Sequence, residues 1–93
     1  MPGSHARVPT SRASRYLKQL CSHFDHKADS TYDDHKGHTV FAFGECTMLA
    51  EPEALLIEVS AADTEQLARV KYVVGDHLER FSKREGLSVD WRE

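Results

Sequence analysis

The sequence predicts an α+β domain: a two-layer sandwich in which two helices cover one face of a mainly antiparallel sheet of four to five strands, in the order β-α-β-β-β-α-β. Three observations predict it. Two segments repeat apolar residues at helical spacing. The stretch between them changes to period two and is cut by turn residues. Both helical segments are apolar on one side only, so each needs a sheet face to cover.

Ala6-Arg7-Val8 reads as a short strand that Pro9 ends or leaves at an edge. Thr10 is a suitable N-cap for a first helix running to about Phe24. Ala13, Tyr16, Leu17, Leu20, Cys21 and Phe24 fall on one face of that helix. Ser30-Thr31-Tyr32 is a weak strand entering a hairpin turn at Asp33-Asp34-His35-Lys36-Gly37, where Gly37 is expected to supply a positive φ. Thr39 to Phe43 is the next strand. Gly44 marks a bend, and Cys46, Met48 and Ala50 continue the alternation. After Glu51-Pro52-Glu53, Leu55, Ile57 and Val59 alternate with Leu56, Glu58 and Ser60 as the clearest strand of the chain.

A second helix starts near 61–63, capped by Ser60 or by Asp63 with Gln66 at the capping-box position. Leu67, Val70, Val74, Leu78 and Phe81 share one face, with His77 beside them. Gly86 suits the position just past the helix end. Leu87, Val89 and Trp91 alternate with polar residues as a closing strand.

With 93 residues the chain is one domain, 1–93, and residues 1–5 are expected to be disordered or left over from cloning. No apolar run approaches a membrane span and no signal core opens the chain, so no membrane association and a cytoplasmic location are expected. Two cysteines there read as free thiols. Net charge is −3, spread unevenly: residues 1–27 carry five basic groups against Asp25 alone. A nucleic-acid binder would be basic overall with aromatics among its basic groups, so no nucleic-acid partner is expected.

Chemistry concentrates between residues 21 and 38, where Cys21, His23, His26, His35 and His38 stand near Asp25, Asp33 and Asp34. Residues two apart on a helix face away from one another, so Cys21 and His23 cannot close on one ion. Cys21 then reads as a core side chain. His23 and His26 can share a helix edge and supply half of a zinc or iron site, at metal–nitrogen distances of about 2.0–2.1 Å. The competing role for His23, His26 and Lys27 is to satisfy the last helix carbonyls. A bare H-x-x-H lacks the general-base Glu of H-E-x-x-H. Arg15 and Lys18 extend the same surface as candidate anion contacts.

Several stretches are similar to an uncharacterised bacterial family, domain of unknown function 2218. They are Arg15-Tyr16-Leu17-Lys18-Gln19-Leu20-Cys21-Ser22-His23-Phe24-Asp25-His26-Lys27, then Phe41-Ala42-Phe43-Gly44 with Cys46, and the helix ending His77-Leu78-Glu79-Arg80-Phe81. The resemblance runs from about Ala6 to Trp91. Cys21, His23, His26 and Lys27 match it residue by residue, whereas His35 and His38 lie in a turn that varies. It implies no established activity. It does imply a context, since some members stand beside or fused to siderophore-interacting flavoprotein reductases, which suggests iron handling and such a reductase as partner.

Three functional readings follow. The first is a small accessory or binding module without catalytic activity, using His23, His26 and Lys27 with Arg15 and Lys18. The second is a thiol–histidine enzyme or redox protein built on Cys21 or Cys46. The third is a protein-interaction domain that presents an open sheet face or edge, with a dimer as one form it could take.

Overall fold

The computed structural model describes residues 2–26 and 28–92. Its elements are β1 (Gly3–Pro9), α1 (Ala13–Phe24), β2 (Asp29–Tyr32), β3 (Lys36–Phe41), β4 (Gly44–Ala50), β5 (Ala54–Ser60) and α2 (Thr64–Phe81). The strands form one sheet in the order β1-β5-β4-β3-β2, and every neighbouring pair is antiparallel. β2 to β5 are consecutive hairpins, and β1 closes the far side by pairing with β5. This is the α+β sandwich that the one-sided helices demanded.

Period-two burial sets which side of the sheet the helices occupy. Ala6 and Val8 of β1, Cys46 and Met48 of β4, and Leu55, Ile57 and Val59 of β5 are all buried. They meet Leu17, Leu20, Cys21 and Phe24 of α1 and Leu67, Val70, Val74 and Leu78 of α2 in one core. Each fully buried Leu or Ile among them stabilises the fold by about 1.5–3 kcal/mol. The other face of the sheet is uncovered, with Val40 and Leu49 exposed among charged neighbours.

Local chemistry explains the ends of the elements. Asp63 caps α2, its carboxylate accepting from the Gln66 amide at 2.8 Å. In the β2–β3 turn the Asp33 carboxylate accepts from the amides of His35 at 2.7 Å and Lys36 at 2.8 Å. Beyond α2, Gly86 adopts φ +68°, the left-handed conformation expected of it. The turn is tied back to α1 through Glu85, which accepts from Tyr16 Oη at 2.9 Å and Thr10 Oγ1 at 3.0 Å.

Five details differ from the sequence reading, one being that Ala42-Phe43 is a hairpin turn and not the end of a strand begun at Thr39, so that four strands and not three stand between the helices. Residues 3–5 are not a loose leader: they belong to β1, and His5 pairs with Arg92 as well as with Glu58 of β5. Arg12, not Thr10, sits at the N-cap of α1, while Thr10 Oγ1 accepts from the Arg12 amide at 3.1 Å. Gly37 lies inside β3 without a positive φ. It is required because a Cβ there would come within 2.6 Å of Cys21 Sγ.

The last concerns residues 87–92, which form no strand and make a single bridge to the sheet, at Arg92. Leu87, Val89 and Trp91 pack on the core instead, with Val89 and Trp91 over Gly75 of α2. Alternation reports an extended segment with one buried side, and a helix can bury that side as well as a sheet can. No described helix is long and apolar enough to cross a membrane.

Candidate functional site

In the last turn of α1, Cys21 and Phe24 still pack on β3, while His23 turns away from the sheet. His23 and Phe24 end the helix, and His26 follows in a turn in which its amide donates to the His23 carbonyl at 3.3 Å. The two-residue β3–β4 turn, Ala42-Phe43, projects beside them, because Phe41 and Gly44 form the last pair of that hairpin. The third wall is α2, through Val73 and His77. Together these residues enclose a cleft of about 410 Å³, within the usual range of about 300–1,000 Å³ for small-ligand sites.

The walls are an aromatic cluster. Phe24 meets Phe41 edge-on at a centroid distance of 5.1 Å, and Phe41 stacks on Phe43 at 5.1 Å. The His23 ring lies 4.7 Å from His77 and 5.5 Å from Phe81. His77 also meets Phe24 edge-on at 5.4 Å. Arg69 stands over the Phe43 ring, with Cζ 4.6 Å from its centroid, a cation–π contact.

His77 is half-buried and its Nδ1 donates to the Val73 carbonyl at 2.7 Å. Among the described residues the polar side chains lining the cleft are imidazoles alone: His23, His26 and His77.

The sequence-predicted residues part company in three dimensions. His23 and His26 both reach the cleft. Cys21 does not: it is fully buried under β3, receiving the Thr39 hydroxyl at 3.9 Å. Arg15 lies in the early turns of α1 with Ser11, Arg12, Ser14 and Lys18, on a separate open surface. Lys18 is committed to Asp34 at 3.0 Å. Lys27 lies outside the described residues. His35 is in the β2–β3 turn, and His38 is on the open sheet face, with Nδ1 2.9 Å from Thr47 Oγ1.

Among the described residues no three His, Cys, Asp or Glu side chains converge as metal ligands. A zinc or iron centre on His23 and His26 therefore lacks a third described protein ligand. Both thiols are sealed in the core. Burial pushes the Cys21 thiol up, and burial first, then the neighbouring Cys21, pushes Cys46 up much further. A nucleophile needs an accessible thiolate, and neither cysteine offers one.

The residues that sequence reasoning did not assign to a site are Phe24, Phe41, Phe43, Val73 and His77. A signal was present: three stretches of the chain, from Arg15 to Lys27, around Phe41-Ala42-Phe43 and from His77 to Phe81, carry the family resemblance, and described residues of all three meet at this cleft.

A family model described as an uncharacterised protein conserved in bacteria, domain of unknown function 2218, matches residues 5–92. The chain belongs to that family. Among solved structures it is similar to the NMR structure of PA4090 from Pseudomonas aeruginosa, with a TM-score of 0.82 and 34% identity over 99% of this chain and 96% of that one. No curated protein matches it. The family description assigns no activity, so the cleft's own chemistry has to carry any functional reading.

Proposed function

We propose that this protein is a small ligand-binding module, without catalytic activity of its own, and that its site is the cleft between the end of α1, the β3–β4 turn and α2. One observation carries the reading. The cleft is open, large enough for a small molecule, walled by aromatic rings and provided with imidazoles as its described polar lining. Concave apolar walls with few polar groups are the general form of such sites. The burial of both thiols supports binding over thiol chemistry.

The family resemblance adds a context to this proposal: a cytoplasmic accessory to iron or siderophore metabolism, acting with a siderophore-interacting reductase. In that setting His23 and His26 are the side chains to which zinc or iron would add, with Lys27 as an anion contact.

The test is an amide-resolved NMR titration of the labelled protein with a panel of single-ring aromatic compounds. Saturable shifts confined to His23, Ala42, Phe43, Val73 and His77 are expected. Shifts centred on the open sheet face, or none at millimolar ligand, would sink the reading. Titration of tag-free protein with zinc and with ferric iron tests the metal part separately, and unmoved His23 and His26 resonances would remove it.

A further inference from the structure

The hydrogen bond of His77 fixes what the cleft can recognise. A carbonyl oxygen only accepts, so the 2.7 Å contact with Val73 places the ring proton on Nδ1. In the neutral imidazole the other nitrogen, Nε2, then carries a lone pair and accepts. Nδ1 is turned back to the helix backbone, which leaves Nε2 at the far end of a ring that lines the cleft. No described donor reaches it. It also reaches solvent, because among the described residues no buried side-chain nitrogen or oxygen lacks a partner. At His77 the cleft thus offers an acceptor of fixed direction amid aromatic faces.

We propose that the cleft selects a phenolic ring, which lies against the Phe24, Phe41 and Phe43 side chains and donates its hydroxyl hydrogen to His77 Nε2. This rests on the cleft being the binding site and goes further by naming the ligand class. A phenol keeps its proton at neutral pH, its ordinary pKa being about 10, and so arrives as a donor matched to a nitrogen lone pair. A carboxylate presents only lone pairs, which face the Nε2 lone pair unless a proton is taken from solution. A cation finds aromatic faces, but Arg69 already sits over Phe43 and no carboxylate lines the described cleft.

The experiment uses the unaltered protein and four probes built on one ring: phenol, anisole, benzoate and benzyltrimethylammonium, each titrated by NMR. Phenol is expected to bind at the cleft at least about tenfold more tightly than anisole, which keeps the ring and oxygen but has no hydrogen to donate. The His77 Nε2 nitrogen resonance should move upfield with phenol and stay in place with anisole. His77→Phe should bring phenol and anisole to within about twofold of each other by removing this bond.

Equal binding of phenol and anisole at the cleft overturns phenol selection and leaves the binding-module reading standing. Tightest binding by benzoate or by the cation overturns it in favour of that class. If no probe shifts the cleft resonances, both proposals fall. Should His77→Phe fail to fold, the probe ratios and the nitrogen signature decide the question on the native chain.

Discussion

Adding one methyl group at Gly37 tests how α1 is seated on the sheet. Gly37 pairs with Tyr32 on one side and Met48 on the other, in the middle of three strands. A Cβ built there stands 2.6 Å from Cys21 Sγ and 3.2 Å from Leu17 Cδ2. Comfortable carbon contacts begin near about 3.5 Å, so the clash with sulfur is close to 1 Å deep. Cys21 and Leu17 are both fully buried and held by the rest of α1, so neither can swing away. Overpacking of this kind costs about 1–3 kcal/mol, which for a domain of this size lowers Tm by roughly 5–20 °C.

Cys21→Ala removes the sulfur at a cost of about 0.5–1.5 kcal/mol, as for deletion of one buried methyl-sized group. In that background Gly37→Ala should cost less than about 0.5 kcal/mol, because the lower entropy of the unfolded chain offsets the residual contact with Leu17. Urea unfolding of the four proteins gives the coupling energy, expected to exceed about 1 kcal/mol. Equal costs in the two backgrounds would refute the steric argument and restore a backbone-conformation role for Gly37. No cost in either would show that α1 does not press on β3 at all.

Other consequences are equally direct. Asp63→Ala removes the carboxylate that caps α2 and should cost about 1 kcal/mol in thermal or urea unfolding. Burial first, then the hydrogen bond and charge of Glu85, raise the Tyr16 phenol above its ordinary value of 10.0, with Arg12 partly opposing. Because the folded state favours the protonated form, this contribution is fully present below pH 10 and lost as pH rises through the elevated folded value. A carbon-detected titration of the Tyr16 ring should show it, and Tyr16→Phe should flatten the alkaline loss while costing about 1–2 kcal/mol at neutral pH. Cys21 and Cys46 should resist a thiol reagent at pH 7 and react once urea unfolds the chain; prompt labelling of either would revive thiol chemistry.

What could be read from the sequence was whatever a single face decides. The stripe from Ala13 to Phe24, the alternation of Leu55, Ile57 and Val59, and the Asp63 cap each depend on neighbours within a few residues, and the structure keeps all of them. What could not be read depends on contacts between distant segments. Gly37 looks like a turn glycine because Asp33 to Lys36 form a turn, yet what requires glycine there is a helix some 16 residues earlier in the chain. Leu87, Val89 and Trp91 alternate like a strand, but β1, the edge nearest to hand, takes only Arg92, and α2 covers the rest. The cleft is the extreme case: its three walls lie around residues 23–26, 41–43 and 73–77, and no local pattern joins them.

The histidine-rich window shows how closeness along the chain misleads about closeness in space. Cys21 and His23 are two residues apart, which on a helix turns them by about 200°. One points into the core against Gly37, and the other leaves the sheet at the helix end and meets His77 from α2. The hairpin histidines go elsewhere again, His38 to the open face of the sheet, where its ring is hydrogen-bonded with the Thr47 hydroxyl. The stripe of α1 runs to its end on the sheet, through Cys21 and Phe24, and the flank turned away from it there faces a neighbouring helix. Here the neighbour brings His77 and Phe81, and the β3–β4 turn brings Phe41 and Phe43. The end of α1 is therefore where this fold opens a cleft, and the same geometry that separates the five ligand-type side chains places His23 beside the His77 acceptor that we propose tells a phenol from its methyl ether.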